Sequence, residues 1–480
     1  MAKITTIIDI GSNSVRMAVF ERTSQFGFYL KFEQKSKVRI SEGTYENGGM
    51  LQEVAISRTL EVLREFYKIA SIYKSRKIIC VATSAVRDAP NRSIFISRAK
   101  KMGIQIKVID GQKEAYFGAI AVANLSHHKS GIMVDIGGGS TECAIIENGK
   151  IKDSISINLG TIRLKELFLD KNLDTKETKN FILKELKNIP SHFRSDCIFG
   201  VGGSIRALAK IILKQSPDGI NLLHGFEINI KQHEDLIDKI IKAKKDRLND
   251  FGINDERTDN IQGGLLVLSC LFSLLKSKHI VTCGVGVREG VFLHDLLRRH
   301  GGSFPNCINP ALSFIKDKFA HDKIANKRKK IALQLFNLMQ EKFGIKESYK
   351  ELFCIASLLC QIGSSIDFYS TNRHSAYMSL HMLRYCLSHK ARAIISSLIE
   401  FSDKKLPKDT DLQKFKMNLN LEVIQILSFA LSIAKILQFS TKALSFSFEE
   451  NALTIKPCDF LLKEKLDKLA TPKVIKLLTQ

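Results

Sequence analysis

The sequence has little that would suggest a disulfide scaffold, a zinc framework or a membrane protein. Its ten cysteines include no Cys-x-x-Cys pair and follow no regular spacing, which argues against a zinc or disulfide framework. The longest apolar stretch, Ile261–Leu275, is interrupted by Gln and Gly and is shorter than a membrane span requires, so we interpret it as a core helix. The chain also starts on a strand-like run without a cleavable leader. We therefore expect a cytoplasmic protein with reduced thiols and no membrane span.

The composition is that of a large folded protein with an excess of positive charge. A chain of 480 residues is too long for one core, so two to four domains are expected. The net charge of +24 is spread along the chain and is not confined to a basic tail. This balance favours polyanionic partners such as polyphosphate, nucleotides, nucleic acid or an anionic membrane surface. The alternative is a lysine-rich surface that is merely well solvated.

One short unit occurs twice in the chain, at Ile8–Phe20 and at Val134–Ile146. Each copy is an apolar run, an aspartate, a turn of small residues and a second apolar run, which is typical of a β-hairpin. Unshielded backbone N–H groups in such a turn can bind an anion, and the adjacent carboxylate can hold Mg²⁺. Two facing copies could therefore hold a phosphate chain from both sides. The matched positions are Asp9 and Asp135, Gly11 and Gly137, Ser14 and Ser140, and Ala18 and Ala144.

The first 305 residues alternate strand and helix patterns, whereas the remainder is mostly helical. The alternation predicts two similar α/β domains with a cleft between them, over residues 1–125 and 126–305. From about residue 306 helical periodicity dominates, with one possible hairpin at Leu444–Ile455. Helices are predicted there over 325–343, 350–362, 375–387, 391–400 and 420–439.

The turn Gly137–Ser140 is the strongest phosphate-binding signal, although a tight structural hairpin remains the alternative. Glu142 lies two residues beyond Ser140 on the outgoing strand, so both side chains point to one face. Asp135 and Glu142 could then bracket one metal ion or one water. A third glycine turn, Gly202-Gly203-Ser204, opens a helix and either binds an anion or serves packing.

Four charged segments have a structural interpretation, and those at Arg87 and Glu114 also have a functional one. Arg87 offers a bidentate fork for phosphate, but a surface pair with Asp88 explains it equally simply. Glu114 lies in the first turn of a predicted helix, where a glutamate is commonly a cap. The pairs Glu256-Arg257 and Arg288-Glu289 are interpreted as structural ion pairs or caps.

Together these segments resemble the Ppx/GppA family of exopolyphosphatases and guanosine pentaphosphate phosphohydrolases. The resemblance covers about residues 4–295 and implies two actin-like (ribonuclease H-like) α/β domains with a cleft. It also implies Mg²⁺-dependent release of terminal phosphate from inorganic polyphosphate, from guanosine pentaphosphate, or from both. The segments that carry it are Ile8–Ser14, Thr83–Arg87, Val134–Glu142, Gly202–Ser204, His224-Gly225 and Arg288–Gly290.

The resemblance changes the weight given to several residues. Glu114 matches the family's proposed general base, although the preceding position is Lys113 where relatives often carry a second Glu. Asp135 and Glu142, with Asp9 nearby, match the carboxylates associated with Mg²⁺, and Arg87 matches a phosphate-contacting arginine. The predicted substrate-binding residues are Asn13, Ser14, Arg87, Gly137, Gly138, Gly139, Ser140, Thr141, Gly202, Gly203 and Ser204.

Residues 306–480 resemble the family's HD-like C-terminal domain more weakly. Cys360-Gln361 and Ser402 stand where an HD site would place metal ligands, so we expect no intact metal motif. We expect instead a domain for dimerisation or substrate binding, with Lys323, Lys327, Arg328 and Lys330 gripping a long polyanion.

The preferred hypothesis is an exopolyphosphatase that acts as a homodimer and requires no nucleic acid. Guanosine pentaphosphate hydrolysis by the same site is the nearest alternative. A small-molecule kinase and a non-catalytic alarmone sensor are further alternatives, and retention of the acidic residues argues against the sensor.

Overall fold

The computed structural model describes residues 3–168, 170, 175–215, 219–305, 308–320, 324–403 and 405–479. The chain divides into two units. The first comprises Met1–Ser216 and Leu222–Pro310, and the second comprises Pro217–Asn221 and Ala311–Gln480. Among the described residues, no helix is both long enough and apolar enough to cross a membrane.

The first unit begins with a five-stranded mixed sheet in the order β3-β2-β1-β4-β5. Strands β1 to β3 form an antiparallel meander, and β4 and β5 run parallel to β1. The strands are β1 (Lys3–Ile10), β2 (Val15–Arg22), β3 (Phe28–Ser36), β4 (Lys77–Ala82) and β5 (Ile106–Val108). The helices are α1 (Glu53–Ile72), α2 (Ser84–Arg87), α3 (Arg92–Lys101) and α4 (Gly111–Leu125).

The second sheet repeats this plan, with a meander followed by parallel strands, in the order β10-β11-β9-β6-β7-β8. Its strands are β6 (Gly131–Ile136), β7 (Thr141–Glu147), β8 (Lys150–Ile157), β9 (Cys197–Gly202), β10 (Glu227–Asn229) and β11 (His279–Thr282). The helices are α5 (Thr161–Leu167), α6 (Thr175–Leu186), α7 (Gly203–Gln215), α8 (Ile230–Lys242), α9 (Asp255–Thr258), α10 (Ile261–Leu275) and α11 (Val287–Leu296). The predicted core helix at Ile261–Leu275 is confirmed as α10.

Both sheets have apolar cores because their strands carry long β-branched runs. Ile8, Ile10 and Val19 are fully buried in the first core, and Val134 and Ile198 are fully buried in the second. Helix α4 packs against β7 and β8, and α11 packs against α4 and β1. These two helices therefore join the two sheets within the first unit.

The second unit is largely helical. Its helices are α12 (Pro310–Phe319), α13 (Ala325–Phe343), α14 (Ser348–Leu359), α15 (Thr371–Met382), α16 (His389–Glu400), α17 (Asp409–Leu412), α18 (Leu421–Leu437) and α19 (Phe460–Leu466). The predicted hairpin is present as β12 (Ser445–Glu449) and β13 (Ala452–Lys456). A third strand, β14 (Lys476–Thr479), pairs parallel to β13 and was not predicted. The predicted fold class, two α/β domains and a mostly helical C-terminal part, is confirmed.

The predicted use of Arg328 as a surface cation is wrong. The side chain is only 1% exposed, and its Nε donates to the carbonyl oxygen of Ser357 at 2.6 Å. A second nitrogen donates to Gln438 Oε1 at 2.6 Å. The guanidinium thus satisfies carbonyl groups at the C-terminal end of α14, where a cation is favoured. Lys327 donates to the carbonyl oxygen of Ser440, and Lys323 lies outside the described residues.

We predict that Arg328→Met destabilises the second unit by about 2–4 kcal/mol, because it leaves buried oxygens without donors. Urea unfolding followed by circular dichroism measures the change. Lys330→Met, on the same helix at an exposed position, is the matched control and should shift the free energy of unfolding by less than about 0.5 kcal/mol. Equal effects of the two substitutions would contradict the buried role of Arg328.

Candidate active site

The two repeated hairpins form matching turns that face one cleft in the first unit. The Gly11 amide donates to the Ser14 carbonyl oxygen at 3.2 Å, and the Gly137 amide donates to that of Ser140 at 2.9 Å. Strand register places Asp9 opposite Arg16 in the first hairpin. It places Asp135 opposite Glu142 in the second. The sequence repeat is therefore a structural repeat, with each aspartate beside its turn.

The glycines of the second turn are required by close approach of the first domain. A Cβ on Gly138 would lie 3.0 Å from Cβ of Ser12, and one on Gly139 would lie 2.1 Å from Oγ of Ser84. A side chain at either position would push the two turns apart. Among the described residues, the Gly138 and Gly139 amides make no hydrogen bond, so both N–H groups are available to an anion. The structural and phosphate-binding interpretations of this turn are thus compatible.

The cleft is lined by most of the predicted site residues. Both aspartates, both candidate glutamates and all three glycine turns contribute to its walls. The lining includes Asp9, Asn13, Ser14, Glu114, Asp135, Gly137, Gly138, Gly139, Ser140, Glu142, Gly202, Gly203 and Ser204.

Burial raises the pKa of four carboxyl groups in the cleft, those of Asp9, Glu114, Asp135 and Glu142. Desolvation raises the pKa of Asp9 to about 6, against the opposing effects of Arg16 and Arg288. Desolvation and then the charge of Asp135 raise the pKa of Glu142 to about 7. The pKa of Asp135 is also raised by burial, with Arg206 and Arg16 acting in the opposite direction. The cleft therefore holds carboxylates whose charge is costly in the absence of a cation.

Glu114 lies in the first turn of helix α4, as predicted, and contacts Arg87. A guanidinium nitrogen of Arg87 donates to Glu114 Oε2 at 2.9 Å, and Arg87 Nε donates to Asp88 Oδ1 at 3.1 Å. Asp110 caps the helix by accepting from the Lys113 amide at 2.7 Å, so Glu114 is not the N-cap residue. Burial and then the charge of Glu142 raise the pKa of Glu114 well above its ordinary value, although Arg87 opposes this.

Two predicted substrate contacts are changed by the structure. Thr141 is fully buried, and its hydroxyl donates to the Leu159 carbonyl oxygen. We therefore assign Thr141 a structural contact in place of the predicted substrate contact. Arg87 pairs with both Asp88 and Glu114, so the predicted surface pair forms and the guanidinium is also placed beside the candidate base.

Five cations line the cleft that the sequence did not identify as functional: Arg16, Lys35, Arg206, Arg257 and Arg288. Arg16 had a detectable signal, because it occupies the position in the first hairpin that Glu142 occupies in the second. Arg257 and Arg288 were interpreted as structural pairs. A Cβ on Gly203 would lie 2.1 Å from an Arg257 nitrogen, so this guanidinium sits on the third glycine turn. The side chain of Glu256 lies outside the described part of the structure.

Arg288 and the adjacent Glu289 have different roles. Arg288 pairs with Glu33 at 3.1 Å while it lines the cleft. Glu289 accepts from the Gly286 amide at 2.8 Å and caps α11, as predicted for a structural residue.

The third glycine turn brings bare backbone against Asp135. Gly202 has a φ of +90°, which disfavours any residue with a side chain. A Cβ there would also lie 2.7 Å from Oδ1 of Asp135. Helix α7 begins at Gly203, so its first amides face the cleft beside this carboxylate. Both backbone conformation and close approach therefore require glycine at position 202.

Several buried polar atoms of the cleft have no partner among the described residues. They are Asn13 Oδ1, Ser84 Oγ, Arg206 Nε and Asn260 Oδ1. An unpaired buried polar atom costs about 1–3 kcal/mol. Atoms of this kind around one cleft are expected where a polar ligand completes the hydrogen bonding.

In the second unit, a lysine lies beside the residues that replace the HD motif. Lys435 Nζ donates to the Ser402 carbonyl oxygen at 2.8 Å and to Asn372 Oδ1 at 2.5 Å. The Lys435 ammonium is largely buried, and burial lowers its pKa, while Cys360 and Asp403 are close enough to oppose that shift. A fixed ammonium thus lies at this polar position, beside Ser402 and Asn372.

Glu142→Gln should stabilise the metal-free protein at alkaline pH. Because the folded pKa is raised, the folded state must release a tightly held proton as the pH rises from about 4.5 through 7. The free energy of unfolding therefore falls over this range in the wild type, and glutamine avoids the loss. In EDTA at about pH 8, we expect a gain on the order of 1–3 kcal/mol, decreasing toward about pH 5.

Thermal unfolding at the two pH values measures this gain. Glu147→Gln is the matched control, because Glu147 is exposed at the other end of the same strand. A gain for Glu142→Gln that does not depend on pH would contradict the burial of a costly carboxylate.

Comparison with known proteins agrees with this geometry. A model of the Ppx/GppA phosphatase family matches residues 18–299, and a model of Ppx/GppA phosphatase domain III matches residues 313–468. A solved Ppx/GppA family member from Aquifex aeolicus is 26% identical, with a TM-score of 0.53, covering 62% of this chain and 99% of its own.

An exopolyphosphatase from Cytophaga hutchinsonii is 23% identical, with a TM-score of 0.56, over 61% of this chain and 98% of its own. At that identity the likeness shows the fold alone. The family models together account for most of both units. The chain belongs to the Ppx/GppA phosphatase family.

Proposed function

We propose that this chain is an exopolyphosphatase that releases terminal orthophosphate from inorganic polyphosphate by Mg²⁺-assisted attack of water. The observation that carries the proposal is the charge arrangement of one cleft. Five carboxyl groups and five cationic side chains line it, together with three glycine turns. Phosphoryl transfer depends mainly on positioning and charge neutralisation, which such a cleft supplies.

The carboxylates fit Mg²⁺ by their chemistry. Asp135 and Glu142 are direct cross-strand partners, and both carry hard oxygen donors at the cleft. Within the described residues, neither carboxylate oxygen of Asp9 or Asp135 accepts a hydrogen bond from a side chain, so these atoms retain free lone pairs. Asp135 and Glu142 would hold the ion, with Asp9 nearby. A bound Mg²⁺ supplies charge neutralisation at the phosphate oxygens.

The cations and free amides supply the substrate contacts. Arg16, Arg206 and Arg288 are charged groups that a polyphosphate chain can pair with, and Arg257 adds a guanidinium at the Gly203 turn. The Gly138 and Gly139 amides offer donors to a terminal phosphate from the opposite wall. These contacts would orient the terminal phosphorus toward the glutamates.

Glu114 is the proposed general base. Arg87 occupies its Oε2, while among the described residues no group donates to Oε1. Oε1 can therefore accept a proton from water in the cleft. As the water oxygen forms its bond to the terminal phosphorus, the bridging P–O bond breaks and the shortened chain leaves. The raised pKa of Glu114 increases its basicity, and Arg87 keeps the side chain oriented.

The lining favours polyphosphate over guanosine pentaphosphate. Its apolar members are aliphatic, and within the described part of the chain no aromatic side chain lines the cleft to stack on a base. Recognition by charge alone suits a substrate that consists only of phosphate. Hydrolysis of guanosine pentaphosphate by the same site remains the alternative that the assay distinguishes.

The deciding experiment compares phosphate release from long-chain polyphosphate and from guanosine pentaphosphate, side by side, with Mg²⁺. We expect the larger kcat/KM for polyphosphate, and Glu114→Gln should lower kcat by ~10² or more for it. Glu166→Gln, outside the cleft lining, serves as a control. Preferred cleavage of guanosine pentaphosphate would overturn the substrate assignment, and near-normal turnover by folded Glu114→Gln would overturn the base.

Asp135→Asn should weaken the dependence on Mg²⁺ by removing one charged oxygen ligand. We expect its Mg²⁺ titration of activity to shift to at least about tenfold higher concentration, equivalent to about 1.4 kcal/mol. Asp153→Asn, on β8 of the same meander and paired with His192 away from the cleft, is the control. An unchanged titration for Asp135→Asn would place the ion elsewhere.

A further inference from the structure

A second group of metal-ligating side chains lies away from the cleft, at the other end of the second sheet. It consists of His127, His128, Cys197, Glu227 and His279, hereafter the His/Cys cluster. None of these residues lines the cleft. Three of the twelve histidines of the chain thus meet one thiol and one carboxylate.

The fold explains why these distant residues meet. His279 and Cys197 are direct register partners at the starts of the parallel strands β11 and β9. Strand β10 carries Glu227 and pairs antiparallel to β11, with Glu227 opposite Val281, two residues along β11 from His279. His127 and His128 follow the end of α4 and precede β6. Four elements therefore contribute side chains to one point.

The donor atoms converge closely. The ligand atoms of His128, Cys197 and His279 all lie within 4.8 Å of one another, and so do those of His127, His128 and Glu227. Nε2 of His127 and Nε2 of His128 lie 3.0 and 3.1 Å from the same Glu227 oxygen. Because His128 belongs to both groups, it links them into one cluster.

The donor types select the metal class. Imidazole nitrogen and thiolate sulfur suit zinc-class cations, whereas Mg²⁺ prefers oxygen ligands. Metal–ligand bonds of about 2.0–2.3 Å place neighbouring donors roughly 3.3–3.8 Å apart. Donors already within 4.8 Å need only small side-chain rotations to reach that geometry. Cys197 is buried, while His128 and Glu227 are partly exposed and leave a path for entry.

We propose that His128, Cys197 and His279, completed by His127 or Glu227, form a structural site for a zinc-class divalent cation. Four protein ligands close the coordination shell, which distinguishes it from a catalytic site with an open position. The site would fasten the end of α4 to the starts of β9 and β11. At their opposite ends, α4 carries Glu114 and β9 carries Gly202, and β11 leads into the segment before Arg288.

The absence of a Cys-x-x-Cys pair does not conflict with this site. Its ligands come from positions 127 to 279, so sheet pairing creates the cluster and local sequence spacing does not. A search for short spacings therefore misses it.

The test uses Co²⁺ as a spectroscopic probe. The full-length protein is first stripped of metal ions, and Co²⁺ is then added in the presence of excess Mg²⁺. We expect one equivalent to bind with a thiolate-to-Co²⁺ charge-transfer absorption and with the intense visible bands of a tetrahedral ion. Zn²⁺ should displace the Co²⁺ and raise Tm. Excess Mg²⁺ occupies the carboxylate cleft and does not compete for nitrogen and sulfur ligands.

Variants locate the ion. Cys197→Ser should abolish the charge-transfer absorption, and His128→Ala should weaken Co²⁺ binding at least about tenfold, the effect of losing a ligand contact. His192→Ala and Cys270→Ala remove a histidine and a buried cysteine outside the cluster and should leave both signals unchanged. Asp135→Asn should also leave them unchanged, which separates this site from the catalytic cation.

Two results would overturn the proposal. The first is the absence of stoichiometric Co²⁺–thiolate absorption in the folded wild type, which would leave a metal-free hydrogen-bonded cluster. The second is undiminished binding by folded His128→Ala or His279→Ala, which would place the ion elsewhere. Circular dichroism of each variant checks folding, and His279→Ala provides an independent variant if Cys197→Ser unfolds.

Discussion

The burial of four carboxylates in one cleft is the constraint on which the first unit depends. Glu114 and Glu142 are buried, Asp9 and Asp135 are partly buried, and desolvation raises the pKa of each. Such charges persist only beside compensating groups. The placement of the cleft arginines follows from this need, since Arg16 and Arg206 act on the aspartates directly. Glycine at position 202 follows as well, because a side chain there would collide with Asp135.

The two copies of the repeated hairpin differ in charge, because one matched position carries a cation in the first copy and a carboxylate in the second. Arg16 and Glu142 occupy equivalent places opposite their aspartates. In the first hairpin the cross-strand pair is therefore compensated, whereas in the second it is purely acidic. The acidic pair of the second hairpin is therefore where the proposed Mg²⁺ is assigned, whereas Arg16 of the first hairpin is a cation available to phosphate.

The sequence predicted those features that depend on local chemistry. The strands of both meanders and the glycine turns follow from apolar runs and small residues, and Asp9, Asp135 and Glu142 follow from their places beside the turns. It did not predict the cations, since Arg257 and Arg288 come from distant segments and look like ordinary surface pairs. Arg328 was missed because a basic run looks solvated until its neighbours α14 and α18 are in place. The His/Cys cluster depends on the register of β9 and β11 and on the segment between α4 and β6, which the sequence pattern does not bring together.

The carboxylates of the cleft differ in how much positive charge the protein itself places beside them. Arg16, Arg206 and Arg288 act on Asp9 or Asp135, so these aspartates have permanent compensation. In the second unit Lys435 and Arg328 are likewise permanent cations, and each donates a hydrogen bond to a backbone carbonyl oxygen. Glu142 and Glu114 have less compensating positive charge. The strongest charge effect on Glu142 comes from Asp135, and the strongest on Glu114 comes from Glu142. Arg87 is the cation that acts on both glutamates. This weaker compensation of Glu142 and Glu114 supports their proposed roles in holding Mg²⁺ and in accepting a proton from water.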